Sequence, residues 1–208
     1  MMKLRDVETS SKMMRRYYRV VKETMRAMAG YLPKMSLWSA KQFLARHIWF
    51  DAMHADMLRS RTLDLRYPRV DVDVDVDAHL LRMLEKLPTA PGDRAFLAGV
   101  YEAVKPAVLE GLRAYLEGSD PLDDAPSHAY FRRIIDEIEM EIAEYRAAFP
   151  EGADAAAAEW RDTVARALAA CGGVHGPDQA PGAAFDAYLN RPPFEIPMEG
   201  ARDPSWEP

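Results

Sequence analysis

The sequence predicts an all-α protein built as a helical bundle. Four long stretches carry apolar side chains three or four residues apart, the spacing that places them on one face of a helix. Glycine and proline stand at the boundaries of these stretches, where helices end. Only one short segment alternates apolar and polar residues as a strand does, and a single strand would have no partner in this chain. Packed helices are therefore the architecture that fits.

The first two helices are predicted over residues 5–32 and 37–64. Gly30 and Pro33 mark the end of the first, and Pro68 lies just beyond the second, where the residue before a proline avoids helical geometry. The apolar stripe of the first helix comprises Met14, Tyr17, Tyr18, Val21, Met25 and Met28.

A long connection over residues 67–92 joins the second helix to the third. Within it, the segment 70–77 alternates valine and aspartate, and we expect an extended connector rather than a sheet strand. We expect its aspartates to form a solvated acidic rim, because the glycine and distal glutamate of an EF-hand calcium site are missing. The aspartates of this segment are Asp71, Asp73, Asp75 and Asp77. After the segment, a short helix is predicted over residues 78–87.

The second half of the chain predicts two more long helices, a fifth helical segment and a tail. Pro106 lies inside the third helix and predicts a bend there. After residue 170 the chain is rich in proline and glycine and lacks helical periodicity, so we expect a helical body over 1–170 and an irregular tail over 171–208 packed on it. The helices are predicted over residues 93–117, 128–149 and 153–170.

Composition excludes several functional classes. The chain has 208 residues and a net charge of −6 from 33 acidic and 27 basic side chains, which argues against a general nucleic-acid binder. No run approaches the ~18 apolar residues of a membrane span. The single Cys171 forms no internal disulfide, and the N-terminus lacks the apolar segment of a secretory signal. We therefore expect a cytoplasmic protein that binds neither nucleic acid nor membrane.

The second helix carries the strongest candidates for chemistry. His47, Asp51 and His54 follow at spacings of four and three, so one face presents two imidazoles and a carboxylate within an apolar stripe. A buried carboxylate needs a partner. A metal site is one interpretation, since imidazole with carboxylate suits iron, manganese or zinc. The other is an Arg–Asp or His–Asp pair bridging two helices. The nearby arginines are Arg46, Arg59 and Arg61.

The fourth helix carries an acidic run in which Glu141 is the best candidate for an interior position. Most of the run is predicted to be a solvated face, as charge runs usually are. Glu139 points away from the apolar stripe, whereas Glu137 and Glu141 lie one turn apart beside it. The run comprises Asp136, Glu137, Glu139, Glu141 and Glu144.

Four segments of the chain resemble a bacterial group of ferritin-like superfamily proteins. The block from His47 to Asp56 is the most specific part of this resemblance. The resemblance implies a ferritin-like four-helix bundle with a short crossover helix, an extra C-terminal helix and an irregular Pro/Gly-rich tail. The segments are AGYLP (29–33), RHIWFDAMHADMLRSRTLDLR (46–66), FLAGVYEAVKPAVLEGLRAYLEGSDPLDDAP (96–126) and RRIIDEIEMEIAEY (132–145).

The resemblance also implies where a metal would bind. Ferritin-like oxidases place carboxylates on two helices and a Glu-x-x-His motif on each of the other two. The nearest match here runs from Asp51 to His54, and no histidine completes a motif in the fourth helix. Positions where the group often carries further acids are apolar in this chain, which favours one ion over a pair. These positions are Val21, Met53 and Ile138.

Together, the residues and the resemblance predict a metal-dependent oxidase or oxygenase that acts on a small molecule. The expected ion is iron or manganese. The alternative is a metal-free helical bundle that has lost its metal centre and serves as a binding or assembly protein. We expect a small-molecule substrate or ligand as the partner and a homodimer as the assembly. The expected metal ligands are Asp51, His54, Glu141 and His47.

Overall fold

The computed structural model of the chain describes residues 6–65, 72–73, 77–149 and 154–204. In these ranges the regular secondary structure is helical and includes no β-strand, which confirms the predicted all-α class. None of the described helices is both long enough and apolar enough to cross a membrane. The α-helices are α1 (Val7–Tyr31), α2 (Trp38–Asp64), α3 (Ala78–Glu85), α4 (Asp93–Ala98), α5 (Lys105–Glu117), α6 (Ala125–Ala148), α7 (Ala155–Ala170) and α8 (Asp186–Leu189). A π-helical turn (Gly99–Val104) joins α4 to α5, and 3-10 turns occupy Leu87–Thr89 and Ala183–Phe185.

The long helices pack around one core in a ring. α1 packs against α2 and α5, and α6 packs against the same two helices. α7 covers α4 and the π-helical turn from outside, and α3 lies against α1. The predicted apolar face of α1 points into the core, and its fully buried side chains include Met14, Tyr17 and Met28.

Local chemistry sets the ends of the helices. α1 begins after Asp6, whose carboxylate accepts a hydrogen bond from the backbone N–H of Thr9 at 2.6 Å. α7 begins after Asp154, which caps the N–H of Ala156 in the same way. These ends lie within two residues of the predicted ones. α6 begins earlier than the predicted residue 128, because Pro126 fits the first turn, where a helix does not use the missing N–H.

The third long helix is not a continuous α-helix. The stretch predicted over 93–117 divides into α4, the π-helical turn and α5. Pro106 accounts for this, since a proline ring in an α-helix clashes with the carbonyl group four residues earlier, here that of Glu102, and a wider turn relieves the clash. Gly99 opens the turn where α7 crosses it: a Cβ at Gly99 would lie only 3.0 Å from the indole nitrogen of Trp160.

The valine–aspartate connector is described only in part. Asp73 accepts a hydrogen bond from Lys22 of α1 at 2.6 Å, and Asp77 forms an ion pair with the buried Arg16 of the same helix. The expected solvated rim is therefore wrong for Asp77, whose side chain is only 10% exposed against Arg16, whereas the side chain of Asp73 stays 35% exposed beside Lys22. Those outside the described residues are Asp71 and Asp75.

The chain that follows α7 lies on the helical body. Arg16 donates a hydrogen bond to the carbonyl oxygen of Gly173 at 2.6 Å, and Phe194 stacks on Tyr31 with ring centroids 5.7 Å apart. The division of the chain into a body and a tail stays a prediction.

Candidate functional site

The three polar residues predicted on one face of α2 all point into the ring of helices. His47 and His54 are fully buried, and Asp51 is 3% exposed. Their spacing keeps them on a single helical face. The opposite walls come from α6, which carries Glu141, and from the segment formed by the π-helical turn and α5. The prediction that Asp51 and His54 are buried is confirmed.

A lysine ammonium lies at the centre of this group. Nζ of Lys105 is 2.8 Å from both carboxylate oxygens of Asp51, and it also donates a hydrogen bond to Oε2 of Glu141. Lys105 is 3% exposed and Glu141 is fully buried. One cation therefore bridges two interior carboxylates that come from different helices. The expected Arg–Asp pair is therefore wrong: Asp51 pairs with Lys105, whereas Arg46 pairs with Glu144 and Arg61 with Asp124.

Lys105, Asp51 and Glu141 shift the pKa values of one another. Burial alone would lower the pKa of Lys105, but Asp51 and Glu141 outweigh it and raise that pKa above its ordinary value. Burial likewise opposes ionisation of Asp51, yet the charge of Lys105 leaves the pKa of this carboxyl below its ordinary value. Burial raises the pKa of Glu141 to about 7, with Lys105 opposing the rise and Asp51 adding to it. Lys105 and Asp51 thus form the charged pair, and Glu141 titrates near neutral pH.

His54 links the cluster to the surface on one side. Its Nε2 is 2.6 Å from Oε2 of Glu137 on α6, and its Nδ1 is 3.6 Å from Oδ1 of Asp51. Because an ionised carboxylate only accepts, Nε2 carries the proton in this pair. Nδ1 of His54 and Oε1 of Glu141 are both buried without a hydrogen-bond partner among the described residues.

His47 lies one turn before Asp51 on α2, but its hydrogen bonds go to other residues. Its Nε2 is 3.0 Å from Oε2 of Glu144, and its Nδ1 is 2.7 Å from the hydroxyl of Tyr101. Burial lowers the pKa of His47 to about 4, so the ring is neutral at physiological pH. Glu144 then accepts the Nε2 proton, which leaves Nδ1 to accept the proton of the buried Tyr101 hydroxyl.

Tyr101 connects this network to the outer side of the bundle. Its ring stacks on Tyr145 with centroids 4.9 Å apart and planes 12° apart. The Tyr145 hydroxyl donates to Oε1 of Glu102 at 2.5 Å, and Arg161 of α7 lies 3.3 Å from the other oxygen of Glu102. Glu102 is therefore a fixed carboxylate beside α7.

The acidic run of α6 is less solvated than predicted. Glu137 and Glu144 turn toward the two histidines of α2, and Glu141 is wholly interior. Glu139 is exposed as expected and pairs with Arg113 of α5. The prediction of a solvated face is wrong on the side of α6 that faces α2, because Glu137 pairs with His54 and Glu144 pairs with His47.

The side chains as arranged do not fit a metal ion. Both oxygens of Asp51 and one of Glu141 bond to the ammonium of Lys105, so a divalent ion reaching them would lie within about 4 Å of a fixed positive charge in a low-dielectric interior. Among the described residues, no group of three or more histidine, cysteine, aspartate or glutamate side chains is arranged to hold an ion. His47, the fourth expected ligand, is engaged by Tyr101 and Glu144.

The three apolar residues at positions where ferritin-like relatives often carry acids do not all lie in the interior. Val21 and Ile138 are buried, whereas Met53 is 36% exposed on the outer side of α2 and does not fill the interior. Cys171 is also buried, and burial raises the pKa of its thiol, which makes it a poor nucleophile.

Sequence reasoning missed the central residue, Lys105. A usable signal existed, because Lys105 follows Leu97 and Tyr101 at successive spacings of four, in line with an inward stripe. A lysine in that position, like the aspartate in the stripe of α2, requires a buried partner of opposite charge. The two stripes together would have made Lys105 a candidate partner of Asp51.

The comparisons with protein-family models, curated proteins and solved structures found no match to this chain, so its own geometry carries the functional argument.

Proposed function

We propose that this chain is a ferritin-like bundle that works without a metal, as a small-molecule-binding protein. In this proposal, the ammonium of Lys105 supplies in the interior the positive charge that a metal ion supplies in ferritin-like oxidases. The single observation that carries it is the bridge from Lys105 to Asp51 and Glu141.

The chemical state of the cluster argues against catalysis by these groups. A lysine whose pKa is raised stays protonated, so it is neither a nucleophile nor a Schiff-base former at neutral pH. Asp51 is held ionised by the same contact. These groups satisfy one another in the core, which is how a structural charged cluster fixes the positions of three helices.

The ring of long helices supports the ferritin-like part of the proposal. Its neighbours in space are α1 with α2, α2 with α6, α6 with α5, and α5 with α1. α2 and α4 are joined by a long connection that contains α3, as in bundles with one crossover.

A metal-dependent oxidase is the second candidate. It is favoured by Nδ1 of His54 and Oε1 of Glu141, two buried atoms that lack partners among the described residues. For this candidate, the Lys105 side chain must leave the carboxylates, so that the donor set becomes available.

Metal content decides between the two candidates. The protein, purified without a histidine tag, is analysed for iron, manganese and zinc before and after anaerobic incubation with Fe(II) or Mn(II). We expect far less than one ion per chain in each sample. One or more ions per chain that persist through dialysis would contradict the proposal and favour the oxidase.

A further inference from the structure

The face of α2 that points away from the core exposes large apolar side chains. Trp49 is 55% exposed and Trp38 is 52% exposed, and Met53 and Leu63 are exposed as well. With 3.6 residues per turn, the four lie within about 80° of one another around the helix axis, opposite the buried face that carries Asp51. In the described part of the chain, α5 and α7 expose no large apolar side chain. The apolar surface concentrated on α2 therefore marks an interaction face.

The exposed positions of this face follow the alternating three- and four-residue spacing of a coiled-coil seam. We call this set of positions the outer seam of α2. It spans about 36 Å of the helix at 1.5 Å per residue. Ser60 is half-buried, and the other positions are exposed. The outer seam comprises Ser39, Gln42, Arg46, Trp49, Met53, Asp56, Ser60 and Leu63.

The outer seam is complementary to itself when a second copy of α2 runs against it in the opposite direction. A two-fold axis at the level of Asp51 places Trp49 of each copy beside Met53 of the other. The same axis places Arg46 of each copy opposite Asp56 of the other, so cation meets anion twice. In a parallel pair, the two arginines would face each other, and so would the two aspartates. Charge therefore favours the antiparallel arrangement of two copies.

Both charged groups can make this contact. Asp56 is exposed, and among the described residues no cation pairs with it. Arg46 pairs with Glu144, but its side chain is 53% exposed and a guanidinium has five N–H donors. It can therefore bind a second carboxylate without releasing the first.

We propose that two copies of this chain form a homodimer through the outer seam of α2, with the helices antiparallel. Trp49 is the central contact, a residue type that often dominates the binding energy of an interface. Phe50 lies against it with ring centroids 5.1 Å apart, which restricts the ring before association. At each end, Leu63 of one copy lies at the level of Trp38 of the other. This inference goes beyond the proposed function, because it concerns the face of α2 that points away from the buried cluster.

Sedimentation equilibrium of the whole chain over about 5–500 µM protein tests the dimer. We expect wild type to pass from monomer to dimer in this range, as a small interface does. Trp49→Glu should weaken association about a hundredfold or more, since each dimer loses two central aromatic contacts. The matched control is Leu122→Glu, which makes the same charge change at a side chain that is 87% exposed outside α2, and it should associate like wild type. Wild type that stays monomeric throughout would overturn the proposal, as would equal weakening by both variants.

Disulfide formation tests the antiparallel register. The two-fold axis pairs Gln42 of each copy with Ser60 of the other. Within one chain these positions lie roughly 27 Å apart along α2, too far for a disulfide. Gln42→Cys/Ser60→Cys should therefore give a linked dimer on mild oxidation, while either single variant stays unlinked and the buried Cys171 does not interfere. Equal linking of Gln42→Cys alone would mean a parallel pair and would contradict the register.

Charge reversal tests the ion pair across the interface. Asp56→Arg places arginines opposite one another at two points of the dimer and should weaken association about tenfold or more. Asp136→Arg makes the same change at an exposed carboxylate of α6 and should leave association as in wild type. Equal effects of the two variants would show that Asp56 does not face Arg46 of the second copy.

Discussion

Nζ of Lys105 lies 2.8 Å from each carboxylate oxygen of Asp51, in the core of the ring of helices. Lys105 was not among the residues predicted from the sequence to form the site. The equal distances place the ammonium midway between the two carboxylate oxygens. Glu141 completes the contact from a third helix. The interior of the bundle is thus organised around a charge that the chain itself provides.

Removing this charge should destabilise the fold. Lys105→Met keeps the length of the side chain and leaves two buried carboxylates facing each other, which costs ~3–5 kcal/mol in the free energy of unfolding at neutral pH. Urea denaturation measures the change. The triple variant Lys105→Met/Asp51→Asn/Glu141→Gln replaces the charges together and should recover most of the loss; no recovery would show that the loss is one of packing.

Titration of Glu141 should make stability fall as the pH rises. The pKa of Glu141 is about 7 in the fold against an ordinary value of 4.5, so the folded chain binds this proton more tightly than the unfolded chain. Its favourable contribution is full below the ordinary value and is lost as the pH rises through the folded value. Glu141→Gln should therefore gain stability relative to wild type, by up to about 3 kcal/mol between about pH 5 and about pH 8.

The control for this pH profile is Asp136→Asn, which removes an exposed carboxylate from the same helix. Its stability should keep a constant difference from wild type over the same range. A constant difference for Glu141→Gln as well would show that Glu141 titrates normally.

The Tyr101 hydroxyl should stabilise the fold through its hydrogen bond with His47. Tyr101→Phe leaves Nδ1 of the buried His47 without a donor, and an unsatisfied buried acceptor costs about 1–3 kcal/mol. Thermal unfolding measures the effect. Tyr130→Phe removes the hydroxyl of a half-buried tyrosine on α6 and should change stability little. Equal effects of the two variants would contradict the assigned hydrogen bond.

The crossing of α7 over the π-helical turn should not tolerate a side chain at Gly99. Gly99→Ala places a methyl group 3.0 Å from the Trp160 ring, and such overpacking costs about 1–3 kcal/mol. Gly182→Ala, at a position with no atom within 4 Å of the new Cβ and with negative φ, should be neutral or slightly stabilising. A neutral Gly99→Ala would mean that α7 is not held at this distance.

The helices could be predicted from the sequence because each is encoded locally. The stripe of α1 and the cap at Asp154 depend on residues a few positions apart, so their positions follow from spacing alone. The π-helical turn could not be predicted to this detail. Pro106 indicates a distortion, but whether a helix bends or widens depends on what packs against it, here Trp160 from far along the chain.

Only the part of the site that lies on α2 could be predicted from the sequence. The face of His47, Asp51 and His54 lies within one helix and is visible in its periodicity. The partner of Asp51 is 54 positions away on another helix, and spacing within α2 carries no information about which neighbour meets it. The resemblance to ferritin-like proteins suggested a metal between Asp51 and Glu141. The ferritin-like motif includes carboxylates and histidines but no lysine between them.

Cobalt(II) uptake by wild type and by Lys105→Ala, followed by visible absorption and by dialysis, tests the role of Lys105 most directly. The variant opens space between Asp51 and Glu141 and leaves carboxylate oxygens and Nδ1 of His54 without a cation, the kind of donor set that divalent metals take. We predict that Lys105→Ala binds about one equivalent of cobalt(II) and melts at a higher temperature with it, whereas wild type binds essentially none. Stoichiometric uptake by wild type would contradict the claim that the ammonium of Lys105 takes the place of the metal.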